Sequence, residues 1–223
     1  MSNDNEDFSN YLKIALIGSV SVGKTSIVNR FIKNIFDEKN KSTSGVNYSK
    51  KIVEVNNQKI SLDIWDTAGQ ERFRSLGRHF YKNANMIIIV SDITNLKSFQ
   101  DIENFWYDDI KENGEEYKVI AIVGNKFDLY DREEVEEIND KMVEEYIDKL
   151  NNDNKCKFFH MKVSAKTDVN VKPLFIKLVS EYLTYEPTYG IKPAKTERIA
   201  KSFNINKVEN QKTKSNHENK CCG

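Results

Sequence analysis

Short apolar runs alternate along the chain with longer segments in which apolar residues recur every three or four positions. The short runs predict strands, and the longer segments predict amphipathic helices. The expected strands are Leu12–Ile17, Ser49–Glu54, Ile60–Trp65, Met86–Asp92, Val119–Gly124 and Lys157–Val163. The expected helices lie near Lys24–Asn34, Ser98–Asn113, Val135–Leu150 and Val171–Leu183. This alternation predicts an α/β fold with a six-stranded, mostly parallel sheet flanked by helices.

One pair of strands should be antiparallel. Two alternating runs between Ser49 and Trp65 flank the dipeptide Asn56-Asn57. Because asparagine tolerates positive φ, this dipeptide suits a tight hairpin turn.

The periodic pattern fades after Tyr185. Beyond it the chain is rich in Asn and Lys and has too few apolar side chains to offset the entropy of ordering. We therefore expect a flexible N-terminus at residues 1–10, one folded domain at 11–185 and a disordered basic linker at 186–223. The 223 residues, 39% of them apolar, suffice for one substantial core.

Charge divides the chain near the same point. Residues 191–220 carry eight Lys or Arg against three Glu, a net charge of +5, and the remainder carries −5 because the whole chain is neutral. The three cysteines do not suggest a disulfide framework, and the polar N-terminus has no apolar signal core. These features predict a folded domain in a reducing, cytosolic compartment.

The strongest chemical signal is a phosphate-binding motif between the first predicted strand and the first predicted helix. It fits the pattern GxxxxGK[ST] and reads Gly18-Ser19-Val20-Ser21-Val22-Gly23-Lys24-Thr25. The glycines let backbone N–H groups turn toward a polyphosphate, and the helix that continues through Ser26 adds its positive end. Lys24 would reach the β- and γ-phosphates, and Thr25 would bind Mg²⁺. The alternative is a glycine-containing turn that binds nothing.

A second motif selects the base. Asn125-Lys126-Phe127-Asp128 has the pattern NKxD and follows a predicted strand, where open α/β sheets bind ligands. The Asp128 carboxylate can accept two hydrogen bonds from the ring N–H and amine of guanine, and adenine offers no such donor pair. This pattern is weak alone and becomes specific together with the phosphate-binding motif.

A third motif, Asp66-Thr67-Ala68-Gly69-Gln70-Glu71, follows another strand. Asp66 is placed to hold Mg²⁺ through a water, Gly69 can offer its N–H to a γ-phosphate, and Gln70 can orient an attacking water. Alone, these residues would be read as the ordinary end of a strand.

Together, these motifs resemble those of the Rab family of small GTPases over about residues 10–185. The segments that carry the resemblance are Gly18–Thr25, Thr43, Trp65–Phe73, Asn125–Asp128 and Ser164–Lys166. The resemblance implies the P-loop NTPase fold and a switch that hydrolyses GTP to GDP and phosphate and regulates vesicle trafficking.

The resemblance also implies roles for further residues. Thr43 would bind Mg²⁺ and the γ-phosphate, and Phe36 would lie against the guanine ring. Ser164, Ala165 and Lys166 would support the base. Two switch loops, roughly at residues 37–48 and 69–78, would be ordered by GTP and released with GDP. The implied partners are an exchange factor, a GTPase-activating protein, a GDP-dissociation inhibitor, a prenylation escort and effectors. No nucleic acid is expected, and a monomer is the default.

The end of the chain resembles a lipidation site. Cys221-Cys222-Gly223 is similar to the paired terminal cysteines that Rabs have geranylgeranylated. Two prenyl chains anchor a protein stably, and the +5 tail favours an anionic leaflet. The implied location is the cytosolic face of an endomembrane compartment, in exchange with the cytosol. The alternative is two unmodified thiols.

Two stretches depart from the usual Rab pattern. The third and fourth P-loop residues are Val20 and Ser21, where many Rabs carry smaller residues or glycine. A branched side chain at Val20 would lie near the γ-phosphate and the attacking water, so hydrolysis is expected to be slow; the alternative is that the loop adjusts. Ser44, Asn47 and Tyr48 stand where an aliphatic residue and an acidic-aromatic pair are usual, so effector choice should differ.

Two other function classes remain open at this point. One is a GTP-binding module that has lost hydrolysis at Val20 and is regulated by exchange and membrane delivery alone, although the presence of Gln70 argues against complete loss. The other is a P-loop kinase or ATPase, which would share Gly18–Thr25 but predicts neither Asn125–Asp128 nor a prenylatable tail.

Overall fold

The computed structural model describes residues 11–39, 42–43, 45–68, 82–113, 119–130, 138, 140–153 and 156–185. Several predictions fall outside these residues and are not addressed by the structure. They concern Ser44, Gly69, Gln70, the second switch loop, the N-terminal ten residues and the tail with Cys221 and Cys222.

The described residues form six strands and the helices that connect them. The strands are β1 (Tyr11–Ile17), β2 (Val46–Val55), β3 (Gln58–Thr67), β4 (Met86–Asp92), β5 (Val119–Asn125) and β6 (Lys157–Lys162). The helices are α1 (Lys24–Lys33), α2 (Leu96–Asp101), α3 (Tyr107–Asn113), α4 (Asp140–Asp153) and α5 (Val171–Tyr185). A π-helix (Ile102–Trp106) joins α2 to α3, and a 3₁₀ helix (Phe127–Leu129) follows β5.

The strands lie in the order β2-β3-β1-β4-β5-β6. β2 runs antiparallel to β3, and all other neighbours are parallel. The predicted α/β fold class is therefore confirmed. The hairpin is confirmed as well, because Asn56 and Asn57 have φ of 52° and 59° between paired Val55 and Gln58.

Helices cover both faces of the sheet because side chains alternate along each strand. In β1, Leu12, Ile14 and Leu16 pack with apolar residues of α1 and α5, whereas Ala15 and Ile17 pack with those of α2, the π-helix and α4. Among the described residues, no helix combines the length and apolar character needed to cross a bilayer.

Three predicted elements differ from the structure by more than two residues at one end or by an interruption. β2 begins at Val46, because Val46, Asn47 and Tyr48 pair with the end of β3. Val46 is half-buried, Asn47 and Tyr48 are exposed, and the three residues show no apolar alternation. Residues 46–48, which the sequence placed in the first switch loop, are therefore strand residues in this structure. α4 begins at Asp140, and the buried Ile138 before it is not helical. The single helix expected at 98–113 is interrupted by the π-helix.

Candidate functional site

A cavity of about 410 Å³ opens at the carboxyl ends of the parallel strands, the edge at which open α/β sheets bind ligands. Its lining comprises Val20, Ser21, Gly23, Lys24, Thr25, Ser26, Phe36, Asp37, Glu38, Ser42, Thr43, Thr67, Asn125, Lys126, Asp128, Leu129, Ala165 and Lys166. Behind this lining, and bonded to it, lie Gly18, Ser19, Val22, Asp66 and Ser164. The structure thus brings together every described residue that the sequence nominated for the site.

Two positions of the P-loop admit only glycine. Gly18 has φ of 135°, and a Cβ there would lie 2.2 Å from the carbonyl oxygen of Val90. Gly23 has φ of 93°, and its Cβ would lie 2.2 Å from Nδ2 of Asn125. The loop therefore follows a path that other residues cannot take without displacing β4 or Asn125.

Lys24 is held inside this loop. Its side chain is buried, and Nζ donates hydrogen bonds to the carbonyl oxygens of Gly18 at 2.8 Å and Ser19 at 2.7 Å. Burial lowers the pKa of Lys24 from 10.5 to about 8, and the nearby Asp66 carboxylate opposes this shift. A buried ammonium with only neutral oxygens as direct partners is suited to pair with an anionic ligand.

Three oxygen-bearing side chains converge beside Lys24. Thr25 Oγ1 donates to Asp66 Oδ2 at 2.7 Å and lies 2.6 Å from Thr43 Oγ1. Asn47 Nδ2 also donates to Asp66 Oδ2, at 3.4 Å. Burial raises the pKa of Asp66, and its Oδ1 is buried with no hydrogen-bond partner among the described residues.

This cluster fits Mg²⁺. Magnesium binds hard oxygen ligands and is usually held by one or two carboxylates together with waters and substrate phosphates. Thr25, Thr43 and Asp66 supply two hydroxyls and one carboxylate, and the unpaired Asp66 oxygen is buried where a cation or its water would satisfy it. No cluster of three or more acidic, His or Cys side chains that could hold a metal occurs among the described residues.

At the other end of the cavity, Asp128 is oriented by a serine. Ser164 Oγ donates to Asp128 Oδ1 at 2.5 Å, and the backbone N–H of Thr167 donates to Ser164 Oγ at 3.1 Å. A carboxylate fixed in this way can accept hydrogen bonds from a donor pair at a base edge.

The two ends of the cavity are joined by Asn125, which is 2% exposed. Its Nδ2 donates to the carbonyl oxygen of Val22 in the P-loop at 2.9 Å, and its Oδ1 accepts from the backbone N–H of Ala165 at 3.2 Å. One amide therefore connects the phosphate-binding loop to the loop that supports Asp128.

Three of the residues that sequence reasoning missed support the site through ion pairs or hydrogen bonds. Asp92 pairs with Lys126, and Arg30 donates to the carbonyl oxygens of Ala165 at 2.9 Å and Lys166 at 3.0 Å. Glu38 accepts from Lys166 Nζ at 2.7 Å. Asp92 ends a buried strand, which was a usable signal, but nothing in the sequence pattern distinguishes Arg30 or Glu38 from surface charges.

Val20, at which the sequence departs from the usual Rab pattern, lines the cavity and is 47% exposed. The next residue, Ser21, has a left-handed backbone with φ of 62°. The phosphate-binding loop thus contributes the branched side chain of Val20 to the lining of the cavity.

The sequence of this chain is similar to those of known proteins. A model of the Ras family matches residues 13–184. The chain is 37% identical over 179 residues to Ras-related protein Rab-30 of Homo sapiens, covering 80% of this chain and 83% of that protein. It is 37% identical over 176 residues to Rab-13 of Mesocricetus auratus, covering 79% and 82%, and 37% identical over 167 residues to human Rab-22A, covering 75% and 81%.

Proposed function

Because this chain belongs to the Rab branch of the Ras family of small GTPases, we propose that its cavity carries the nucleotide cycle of a trafficking switch. The protein binds GTP and hydrolyses it to GDP and phosphate. The observation that carries the assignment of the site is the presence, in one cavity, of the P-loop around Lys24 and the oriented carboxylate of Asp128.

We infer the roles of the described residues from their places in the cavity and the role of Gln70, which lies outside the described residues, from the family resemblance. Lys24 pairs with the phosphates, and Thr25, Thr43 and Asp66 would hold Mg²⁺, which would neutralise negative charge on the phosphates. Asp128 accepts the two donors of guanine, Phe36 covers the ring, and Gln70 orients the attacking water. No protein group has to act as general base, because positioning and charge stabilisation lower the barrier.

A direct test is competition for a fluorescent GDP bound to the full chain in the presence of Mg²⁺. We expect GTP to displace it and ATP at a hundredfold higher concentration to leave it bound, because adenine lacks the donor pair that Asp128 accepts. Equal displacement by ATP would contradict guanine selectivity and favour the kinase or ATPase class.

The P-loop valine should slow the chemical step. In single-turnover measurements of phosphate release, we expect Val20→Gly to hydrolyse bound GTP roughly tenfold faster, equivalent to about 1.4 kcal/mol in the barrier. Val20→Thr keeps the branched shape and serves as the matched control, which should stay near the parent rate. Equal turnover in all three proteins would mean that the loop accommodates Val20.

We propose that the tail delivers the domain to the cytosolic face of an endomembrane. The supporting features are the terminal Cys221 and Cys222 and the +5 charge of residues 191–220. Prenylation at both cysteines would appear in the intact mass of protein recovered from membranes, and an unmodified mass would contradict it. An exchange factor, a GTPase-activating protein, a GDP-dissociation inhibitor, a prenylation escort and effectors would act on the cycle.

A further inference from the structure

Ser19, the second residue of the P-loop, contacts the residue just before the π-helix and the last residue of the π-helix. Ser19 Oγ donates a hydrogen bond to Asp101 Oδ2 at 2.7 Å, and the indole N–H of Trp106 lies 3.4 Å from Ser19 Oγ. The hydroxyl thus acts as donor to one side chain and as acceptor for the other. These contacts join residues more than eighty positions apart, so they are tertiary contacts.

The π-helix makes this arrangement possible. The backbone N–H of Tyr107 bonds to the carbonyl oxygen of Ile102, five residues earlier, so residues five apart lie about one turn apart on the same face. In a regular α-helix, Asp101 and Trp106 would point about 140° apart, as each residue advances about 100°. The wider turn lets both side chains reach Ser19.

Both partners are suited to fix the hydroxyl. Trp106 is 4% exposed, packs edge-on against Phe105 and belongs to the apolar cluster that contains Ile17, the last residue before the P-loop. Asp101 supplies a carboxylate, and hydrogen bonds to ionised acceptors are shorter and stronger than neutral ones.

The position of Ser19 matters to the ligand through Lys24. The carbonyl oxygen of Ser19 accepts one of the two hydrogen bonds that hold Lys24 Nζ in the loop. A shift of Ser19 would therefore move the acceptor that aims the lysine.

We propose that Ser19, Asp101 and Trp106 are positioning residues that hold the P-loop in its nucleotide-binding shape, so that the π-helix sets the rate of nucleotide release. This inference rests on the proposed nucleotide site. It places a control element for release on the helical side of the P-loop, away from the cluster of Thr25, Thr43 and Asp66.

The test is the dissociation rate of fluorescent GDP from the full chain, chased with excess GDP in Mg²⁺. We expect Ser19→Ala and Asp101→Ala each to speed release roughly tenfold, the scale of one lost hydrogen bond to a charged group. The double variant should release GDP no faster than the faster single variant, because both changes break the same contact.

Two further variants separate positioning from general destabilisation. Asp101→Asn keeps an acceptor for Ser19 Oγ and should release GDP within about threefold of the parent rate. Asp108→Ala makes the same kind of change at an exposed position of α3 and should match the parent.

Parent rates for Ser19→Ala and Asp101→Ala, or effects that simply multiply in the double variant, would overturn the inference. So would Asp101→Asn releasing GDP as fast as Asp101→Ala. If Ser19→Ala does not fold, the comparison of Asp101→Ala with Asp101→Asn decides. A parent chain that retains no GDP would instead overturn the proposed nucleotide site itself.

Discussion

Asp128→Asn is expected to change the base preference of the protein from guanine to xanthine. The substitution replaces one carboxylate oxygen with an NH₂ donor, which cannot accept from the amine of guanine. Xanthine carries a carbonyl oxygen where guanine carries that amine, so the donor and acceptor match again. We expect GDP affinity to fall roughly a hundredfold, about 3 kcal/mol for a lost charged hydrogen bond, while binding of xanthosine diphosphate rises. Titration of both nucleotides against both proteins measures the exchange.

Asp128→Ala provides the control for this swap. It removes both acceptors and offers no new donor, so it should weaken GDP binding without improving binding of the xanthine nucleotide. If Asp128→Asn still prefers guanine, Asp128 does not read the base edge, although the bond from Ser164 orients it toward the cavity.

Lys24→Ala should cause the largest loss of affinity for the phosphates. Removing one partner of a buried ion pair costs about 3–5 kcal/mol, because the other charge is left uncompensated. We therefore expect GDP binding to weaken roughly a thousandfold in equilibrium titrations. Competitors that lack the nucleoside, such as pyrophosphate, should lose affinity in the same proportion, since the lysine contacts only phosphates.

The control for this substitution is Lys97→Ala, which removes the same charge from an exposed position on α2. It should bind GDP like the parent. A Lys24→Ala protein that binds GDP within threefold of the parent would show that the phosphates do not reach the buried ammonium.

Strand positions and the sheet could be predicted because burial on both faces produces short, continuous apolar runs. Met86–Asp92 was predicted at its observed bounds, since every residue of this strand is buried. The start of β2 was not predictable in this way, because Asn47 and Tyr48 are exposed and their strand conformation depends on pairing with β3. Pairing partners distant in the chain leave no local pattern.

The π-helix could not be predicted from periodicity. Phe99, Ile102, Trp106 and Ile110 are buried and spaced three or four residues apart, which is the spacing of a regular α-helix. The extra residue in the turn is visible only in the backbone hydrogen bond between Tyr107 and Ile102. For the same reason, the contact from Asp101 to Ser19 had no signature in the sequence.

The residues of the site that belong to motifs were more predictable from the sequence than the residues that hold them in place. Motif residues such as Lys24 and Asp128 were nominated because their chemistry requires those side chains at that spacing. Arg30 and Asp92 act by holding other site residues, and many side chains can do so from many positions. Their roles become visible only when the fold brings them beside Ala165 and Lys126.

The buried amide of Asn125 should couple binding of the base to binding of the phosphates. Since one side chain braces both the loop around Val22 and the backbone at Ala165, ordering either end of the cavity prepares the other. Binding of GDP should then be more favourable than the summed binding of guanosine and pyrophosphate. Part of this gain arises in any site, because a joined ligand loses its rigid-body freedom only once, and the coupling through Asn125 adds to it. The same coupling applies to release. A partner protein that distorts the phosphate-binding end of the cavity should also weaken binding of the base, so that the nucleotide dissociates in one step.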